Sequence, residues 1–169
     1  GRPVEDVKLS RRVAPAIIER LKAIVGAVNV SVSGMDKVLY SHDMAPLPKE
    51  AGLAFKNIPD VIVRPETVEQ ISQVMALAYE HGIAVTPRGN ASWGLGGCMP
   101  TNAGILLDMS SKMTHVVEID KENLTVKVQG GCTWKNLLEA CMKEGYIIGS
   151  YPSSFPSGTI GAWYYHNGM

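Results

Sequence analysis

The sequence predicts a mixed α+β fold arranged around one glycine-rich loop. Three observations predict it. A proline-bounded, β-branched run over 59–65 is followed by helical apolar spacing and a short apolar run over 83–86, a strand–helix–strand passage. The second of those strands runs on into Val85-Thr86-Pro87-Arg88-Gly89-Asn90-Ala91-Ser92-Trp93-Gly94-Leu95-Gly96-Gly97, a loop of small residues. A second strand–helix–strand passage over 124–148 leads into another small-residue stretch over 152–162.

In chain order, residues 1–8 are polar and expected to be loose. Over 10–27, apolar residues recur at Val13, Ile17, Leu21, Ile24, Val25 and Val28, a helical stripe. Pro15 suits a first turn, which places the helix start near Ala14. A brief extended piece is expected over 28–32 and one more helical turn over 34–40. Pro46, Pro48 and Gly52 make 41–54 read as a surface linker. After the strand at 59–65, Thr67 caps a helix with Gln70 at the box position. Val68, Ile71, Val74, Met75, Leu77 and Ala78 form its apolar face, and His81-Gly82 ends it. With the strand at 83–86 this predicts a parallel pair joined by a right-handed crossover.

Strands are expected at 104–109 and 116–120, and at 124–129 with Leu124, Val126 and Val128 on one face. Gly130-Gly131 is a tight turn. Thr133 caps a helix running to about Glu144, with Trp134, Leu137, Leu138 and Cys141 inward. Gly145 stops that helix, and a last strand is expected at 146–148.

The 169 residues carry no net charge, with 46% hydrophobic and 19% charged residues, so no electrostatic footprint for nucleic acid is present. No apolar run has the length of a membrane span. Cys98, Cys132 and Cys141 are widely spaced, and the four histidines are scattered, so no metal site is expected. The thiols fit a reducing, cytoplasmic compartment. Peripheral membrane attachment would go through a partner.

Ligands of open α/β sheets bind beyond the carboxyl ends of strands, where the 88–97 loop leaves. Gly94, Gly96 and Gly97 give G-x-G-G with Met99 at the third glycine position, so this is not a Rossmann fingerprint, and no Gly-Lys-Ser/Thr closes a P-loop. Small residues let consecutive N–H groups form an anion nest, and Arg88 is the loop's only basic residue. The second edge offers hydroxyls at Ser153, Ser154 and Thr159, stiffened by Pro152 and Pro156. Two such edges suit a long ligand with a diphosphate in its middle. Trp93, Trp163, Tyr164 and Tyr165 are candidates to stack on a ring, although aromatics more often serve packing. Asp108 and Asp120 stand as isolated carboxylates. No acid/base pair or nucleophile triad is visible, so the catalytic residues are unknown.

Six ordered blocks make the chain recognisable. They are Pro59-Asp-Val-Ile-Val-Arg-Pro-Glu-Thr-Val-Glu69, Pro87-Arg88-Gly89-x-x-Ser92 and Gly104-Ile-Leu-Leu-Asp-Met-Ser110, followed by Asp120-x-Glu-Asn-x-Thr-Val126, Pro152-Ser-Ser154 and Thr159-Ile-Gly161. Over 59–163 the sequence resembles the FAD-binding domain of the vanillyl-alcohol oxidase / p-cresol methylhydroxylase superfamily. Within it, the match is to the D-lactate and glycolate dehydrogenase branch, including alkyl-dihydroxyacetonephosphate synthase relatives. The resemblance implies an α+β, two-subdomain FAD-binding fold with the second subdomain incomplete. Residues 1–54 would be an N-terminal helical segment and linker, 55–112 the first subdomain, and 113–169 the start of the second.

By the same resemblance Pro87, Arg88, Gly89, Asn90, Ala91, Ser92 and Trp93 would wrap the FAD diphosphate. Pro152, Ser153, Ser154, Gly158, Thr159, Ile160, Gly161 and Trp163 would lie along the flavin side. Some relatives tether FAD to a histidine in the first loop; Ser92 stands at that position here, which implies non-covalent FAD. Ala162 replaces the second glycine of the usual Thr-Ile-Gly-Gly, and Tyr164-Tyr165-His166 replaces smaller residues. The implied activity is that of an FAD-dependent oxidoreductase taking hydride from a small 2-hydroxy acid such as D-lactate or glycolate and passing electrons to a separate acceptor protein or second subunit. The alternative is a non-catalytic FAD-binding half-domain that needs a second chain. The 169-residue chain by itself is expected to be inactive.

Overall fold

The computed structural model describes residues 12–44 and 56–165. The loose start expected over 1–8, and Pro46, Pro48 and Gly52 of the expected linker, lie outside those residues. Helix α1 (Pro15–Val25) begins as the proline predicts, with Ala14 as its N-cap. Gly26, at φ +88°, breaks the helix, so Val28 leaves the apolar stripe and is 90% exposed, against the periodicity. A 3₁₀ turn (Ala27–Asn29), strand β1 (Val30–Ser31) and helix α2 (Gly34–Leu39) follow. The described start of the expected surface linker is only partly at the surface: His42 and Met44 are exposed, while Ser41 and Asp43 are buried.

Strand β2 (Val61–Val63), helix α3 (Val68–His81) and strand β3 (Val85–Arg88) form the first strand–helix–strand passage. The Thr67–Gln70 capping box is closed in both directions. The helix buries a narrower face than expected, Val74, Leu77 and Ala78, while Val68 in the first turn and Met75 are exposed. The two strands are parallel but not neighbours. Strand β4 (Ile105–Asp108) enters between them, giving the order β1-β2-β4-β3 with β1 antiparallel at the edge. Pro87 explains the arrangement: it has no N–H for a ladder, so β3 suits an edge. The Ile-Leu-Leu-Asp run of β4 is buried throughout and suits the centre. Leu21 and Val25 of α1 pack into one core with Val61, Val63, Val74, Leu77, Ile105 and Leu107.

Strands β5 (Val116–Asp120) and β6 (Thr125–Val128) make a separate antiparallel pair, followed by helix α4 (Trp134–Lys143) and helix α5 (Ile160–Tyr165). The face expected from Leu124, Val126 and Val128 is not buried as a unit: Leu124 sits in the turn at φ +52° and is exposed, Val126 is exposed as well, and only Val128 packs on the second core. Thr133 caps α4 by accepting from the Asn136 N–H. No strand forms at 146–148. Tyr146 and Ile148 pack on the second core while Ile147 is exposed, so the in–out alternation is kept without a ladder partner among the described residues. The 152–162 stretch is also not all turn, since α5 begins at Ile160. Its first turn is tied to the Gly130–Gly131 turn: the Ile160 N–H donates to the Cys132 carbonyl at 2.8 Å and the Gly161 N–H to that of Gly130 at 2.9 Å.

Asp108 ends the central strand, fully buried, and is not isolated. One carboxylate oxygen accepts from the Ser110 N–H and hydroxyl and from the Ser111 N–H; the other accepts from Tyr40 Oη at 2.7 Å and from the Ser111 hydroxyl. Arg64 Nε lies 3.6 Å away, and the same guanidinium meets Asp36 of α2 at 3.3 Å. Asp108→Ala would leave these donors buried without their acceptor, at a cost of about 3–5 kcal/mol in urea unfolding; a loss below 1 kcal/mol would show the carboxylate to be dispensable. Burial, and then the hydrogen bond to Asp108, push the Tyr40 phenol above its ordinary pKa. Its folded pKa thus exceeds the unfolded one, so its contribution is complete below about pH 10 and is lost as pH rises through the raised value. Alkaline unfolding of Tyr40→Phe should lack that component, and identical pH profiles for the two chains would contradict it.

Candidate functional site

The 88–97 loop leaves the carboxyl end of edge strand β3, and the 152–159 turns lead into α5 across from it. The two edges meet. Asn90 Nδ2 donates to the Ser157 carbonyl at 2.8 Å, and Trp93 Nε1 to Ser154 Oγ at 2.8 Å. Gly89 faces Thr159 so closely that a Cβ at this position would collide with the Thr159 hydroxyl. Only glycine lets the first loop approach the second edge there.

A cleft opens between the edges. Its walls include Gly89, Asn90, Ala91, Ser92 and Trp93 from the first loop, with Pro152, Ser154, Gly158, Thr159 and Trp163 from the second edge. Ala162, which replaces the usual glycine, lines it as well. Five expected residues do not line it: Pro87, Arg88, Ser153, Ile160 and Gly161. Ser153 is exposed, while Ile160 is buried in the second core. Gly161 packs on the Gly130 backbone.

Arg88, expected at the diphosphate, is engaged by the protein's own groups. Its Nη1 donates to the carbonyl of His42 at 2.8 Å and lies 3.5 Å from that of Tyr40 and 3.4 Å from Cys98 Sγ. The guanidinium stands over the Tyr40 ring, 5.1 Å from its centroid. The tryptophans also differ from a free stacking platform. Trp163 makes T-shaped contacts with Trp93, at 6.4 Å between centroids, and with Trp134, at 5.9 Å. These edge-to-face pairs join the two edges to the start of α4.

The polar equipment of the cleft is mostly backbone and neutral. None of the N–H groups of Asn90, Ala91, Ser92 and Trp93 donates to a backbone carbonyl among the described residues. Ala91 is held at φ +53°, which bends this run back on itself. Thr159 Oγ1 and Trp134 Nε1 are buried without a hydrogen-bond partner among the described residues, and both residues line the cleft. A buried polar atom without a partner costs stability unless something else satisfies it. A close-approach glycine, unbonded loop amides and two orphaned donors fit an acceptor-rich group such as a diphosphate or a ring carbonyl. The sequence reading missed Trp134, Cys98 and Asp43 as cleft residues, while Leu95, Gly97 and Ala162 line the cleft from within the two expected small-residue stretches. Trp134 carried a signal, since it opens a Thr-capped helix directly after a glycine pair; Asp43 carried none. Burial raises the pKa of the half-buried Cys98 thiol, with the Arg88 charge acting against that rise.

The model of an FAD binding domain family matches residues 59–169. The glycolate oxidase subunit GlcD of Bacillus subtilis (strain 168) is 31% identical over 143 residues, 85% of this chain and 29% of that protein. A D-lactate dehydrogenase of Anaerostipes hadrus is 29% identical over 136 residues, 80% of this chain and 27% of its own length. Among solved structures, an alkyldihydroxyacetonephosphate synthase superposes with a TM-score of 0.77 at 22% identity, over 96% of this chain and 33% of that one. Substrate-bound p-cresol methylhydroxylase gives a TM-score of 0.69 at 25% identity, over 83% and 26%. The chain therefore spans about a third or less of these relatives. A family model covering most of the chain and a shared fold agree with the cleft, and the chain belongs to the FAD-binding domain family of the vanillyl-alcohol oxidase / p-cresol methylhydroxylase type.

Proposed function

We propose that this chain is the FAD-holding part of an FAD-dependent oxidoreductase that oxidises a small 2-hydroxy acid of the D-lactate or glycolate kind. The observation that carries the cofactor half of this reading is the pair of buried, unpartnered donors, Thr159 Oγ1 and Trp134 Nε1, at a cleft walled by two small-residue edges. The substrate half is supported by the names of the two relatives, a glycolate oxidase subunit and a D-lactate dehydrogenase. FAD, when bound, supplies the hydride acceptor. This chain's own residues bind and orient. The amides of 90–93 face the diphosphate, the hydroxyls of Ser92, Ser154 and Thr159 and the Trp134 indole donate to acceptor atoms, and Pro152, Gly158, Ala162 and Trp163 set the second wall.

The proposed division places one unit on each side of the cleft, 55–112 and 113–169, with α1 and β1 packed into the first. The substrate clamp, the base that takes the hydroxyl proton and the contact with an electron-acceptor protein or second subunit belong to other parts of the longer enzyme or to a partner. Among the described residues no helix is long and apolar enough to cross a membrane, and any membrane association would run through such a partner. FAD is held without a covalent bond, because Ser92 stands where a tethering histidine would be.

Acid precipitation of the loaded protein should release all its FAD to the supernatant; flavin left in the denatured pellet would refute non-covalent binding at this site. The longer enzyme should reduce a dye with D-lactate or glycolate, and the 169-residue chain with added FAD should not. Turnover by the short chain would place the substrate machinery within it. Thr159→Val tests the site itself. Removing a buried hydroxyl that has no protein partner should leave stability unchanged or raise it by about 1 kcal/mol, while FAD affinity falls by about 1 kcal/mol or more. Urea unfolding and titration of flavin fluorescence separate the two effects, and unchanged FAD affinity would remove Thr159 from the site.

A further inference from the structure

The first loop has a second support that its sequence did not announce. Gly96 sits at φ +79°, and its N–H donates to Asp43 Oδ2 at 2.7 Å. Asp43 is buried and lies at the wall of the cleft, although it belongs to the segment after α2, far away in sequence. That segment is held in turn by Arg88, through the carbonyl of His42 next to Asp43 and that of Tyr40. The Tyr40 ring carries the guanidiniums of both Arg64, 5.6 Å from its centroid, and Arg88, while its hydroxyl is fixed on Asp108. A continuous path thus runs from the buried end of the central strand to the tip of the glycine-rich loop.

We propose that Asp43 is a positioning residue for the glycine-rich loop, and that Arg88 acts on the cofactor site through Asp43 rather than by touching the diphosphate. The geometry favours this over a phosphate ligand. Arg88 lies off the cleft with its Nη1 directed at the 40–42 carbonyls, and its planar face is taken by Tyr40. The charge of Asp43 argues the same way. A carboxylate at the wall of a site for a dianionic group is unfavourable by Coulomb's law, so its presence calls for a structural purpose. Accepting the Gly96 N–H is such a purpose: it fixes the left-handed turn at the loop tip before any ligand arrives, which lowers the ordering cost of binding.

The proposal uses the FAD reading of the cleft in its binding arm only, so the test begins without FAD. Amide exchange of Gly96 in the ligand-free chain should accelerate by about tenfold or more in Asp43→Ala, as expected for loss of a hydrogen bond to a charged acceptor. It should also accelerate in Arg88→Met, although Arg88 does not touch Gly96. Asp43→Asn keeps an acceptor oxygen and removes the charge. It should retain slow Gly96 exchange and bind FAD as tightly as the unaltered chain or more tightly, a rescue that a general loss of fold would not give. In FAD titrations, Asp43→Ala and Arg88→Met should each weaken binding, and the double variant should be no weaker than the worse single one. Additive losses, or a fall in the salt dependence of FAD binding confined to Arg88→Met, would overturn the proposal and make Arg88 a diphosphate ligand. Unchanged Gly96 exchange in Asp43→Ala would overturn it outright. Failure of the unaltered chain to take up FAD would refute the cofactor reading instead, and exchange at Gly96 would still decide the brace.

Discussion

The fold depends on a carboxylate buried at the end of its central strand. Asp108 is inaccessible to solvent, and a charge in that position is tolerable only when surrounded by donors. The chain supplies them from three directions. Ser110 and Ser111 fold back on it within a turn, Tyr40 reaches it from the end of α2, and Arg64 approaches from the end of β2. The result is more than local satisfaction. It fixes where α2 ends relative to the sheet, and therefore where Arg88, stacked on Tyr40, meets the backbone after α2. Removing the charge by apolar replacement would disturb all of these positions together.

The cleft depends on a different constraint, the close approach of backbones across the two edges. At Gly89 the first loop leaves no room for a Cβ against Thr159, and at Gly131 a Cβ would collide with the Met109 carbonyl. At Gly161 it would press on the Gly130 backbone. These contacts bring the start of α5, the turn before α4 and the loop after β3 to one place. The tryptophans Trp93, Trp163 and Trp134 cement the same junction by edge-to-face contacts. In this structure the three rings form walls of the cleft.

Much of this was legible because local rules and the fold agree. Thr67 with Gln70, Thr133 with its helix and Pro15 at a first turn each carry a mechanism that needs no tertiary information. The small-residue loops were also legible, since glycine content reflects backbone approach. What failed needed knowledge of neighbours. Val28 matched a helical period but came after the residue that ends the helix. The 146–148 run kept strand alternation without a strand to pair with among the described residues. The insertion of β4 between β2 and β3 was partly written in Pro87, which forbids a central ladder, but the partner choice is non-local. Asp43 was invisible because a proline-rich surrounding reads as linker whichever side chains it buries, and Tyr40 because a short helical turn does not reveal which buried carboxylate its last residue reaches.

The distribution of charge explains why Arg88 is engaged differently from what its place beside a glycine-rich loop suggests. Sequence reasoning assigns a lone arginine beside a glycine-rich loop to the ligand, because a dianion invites a cation. The structure uses the guanidinium inside the protein instead, where its planar face and directed N–H groups organise carbonyls and an aromatic ring. The amides of 90–93 donate to no backbone carbonyl and two neutral side-chain donors have no partner among the described residues, and the proposed function gives these groups to the ligand. Oriented dipoles of this kind can stabilise a diphosphate without a mobile counter-charge, and their strength depends on being held in place. A loop that binds through its backbone therefore depends on whatever fixes that backbone. This ties the chemistry of the cleft to the path from Asp108 through Tyr40, Arg88 and Asp43 to Gly96.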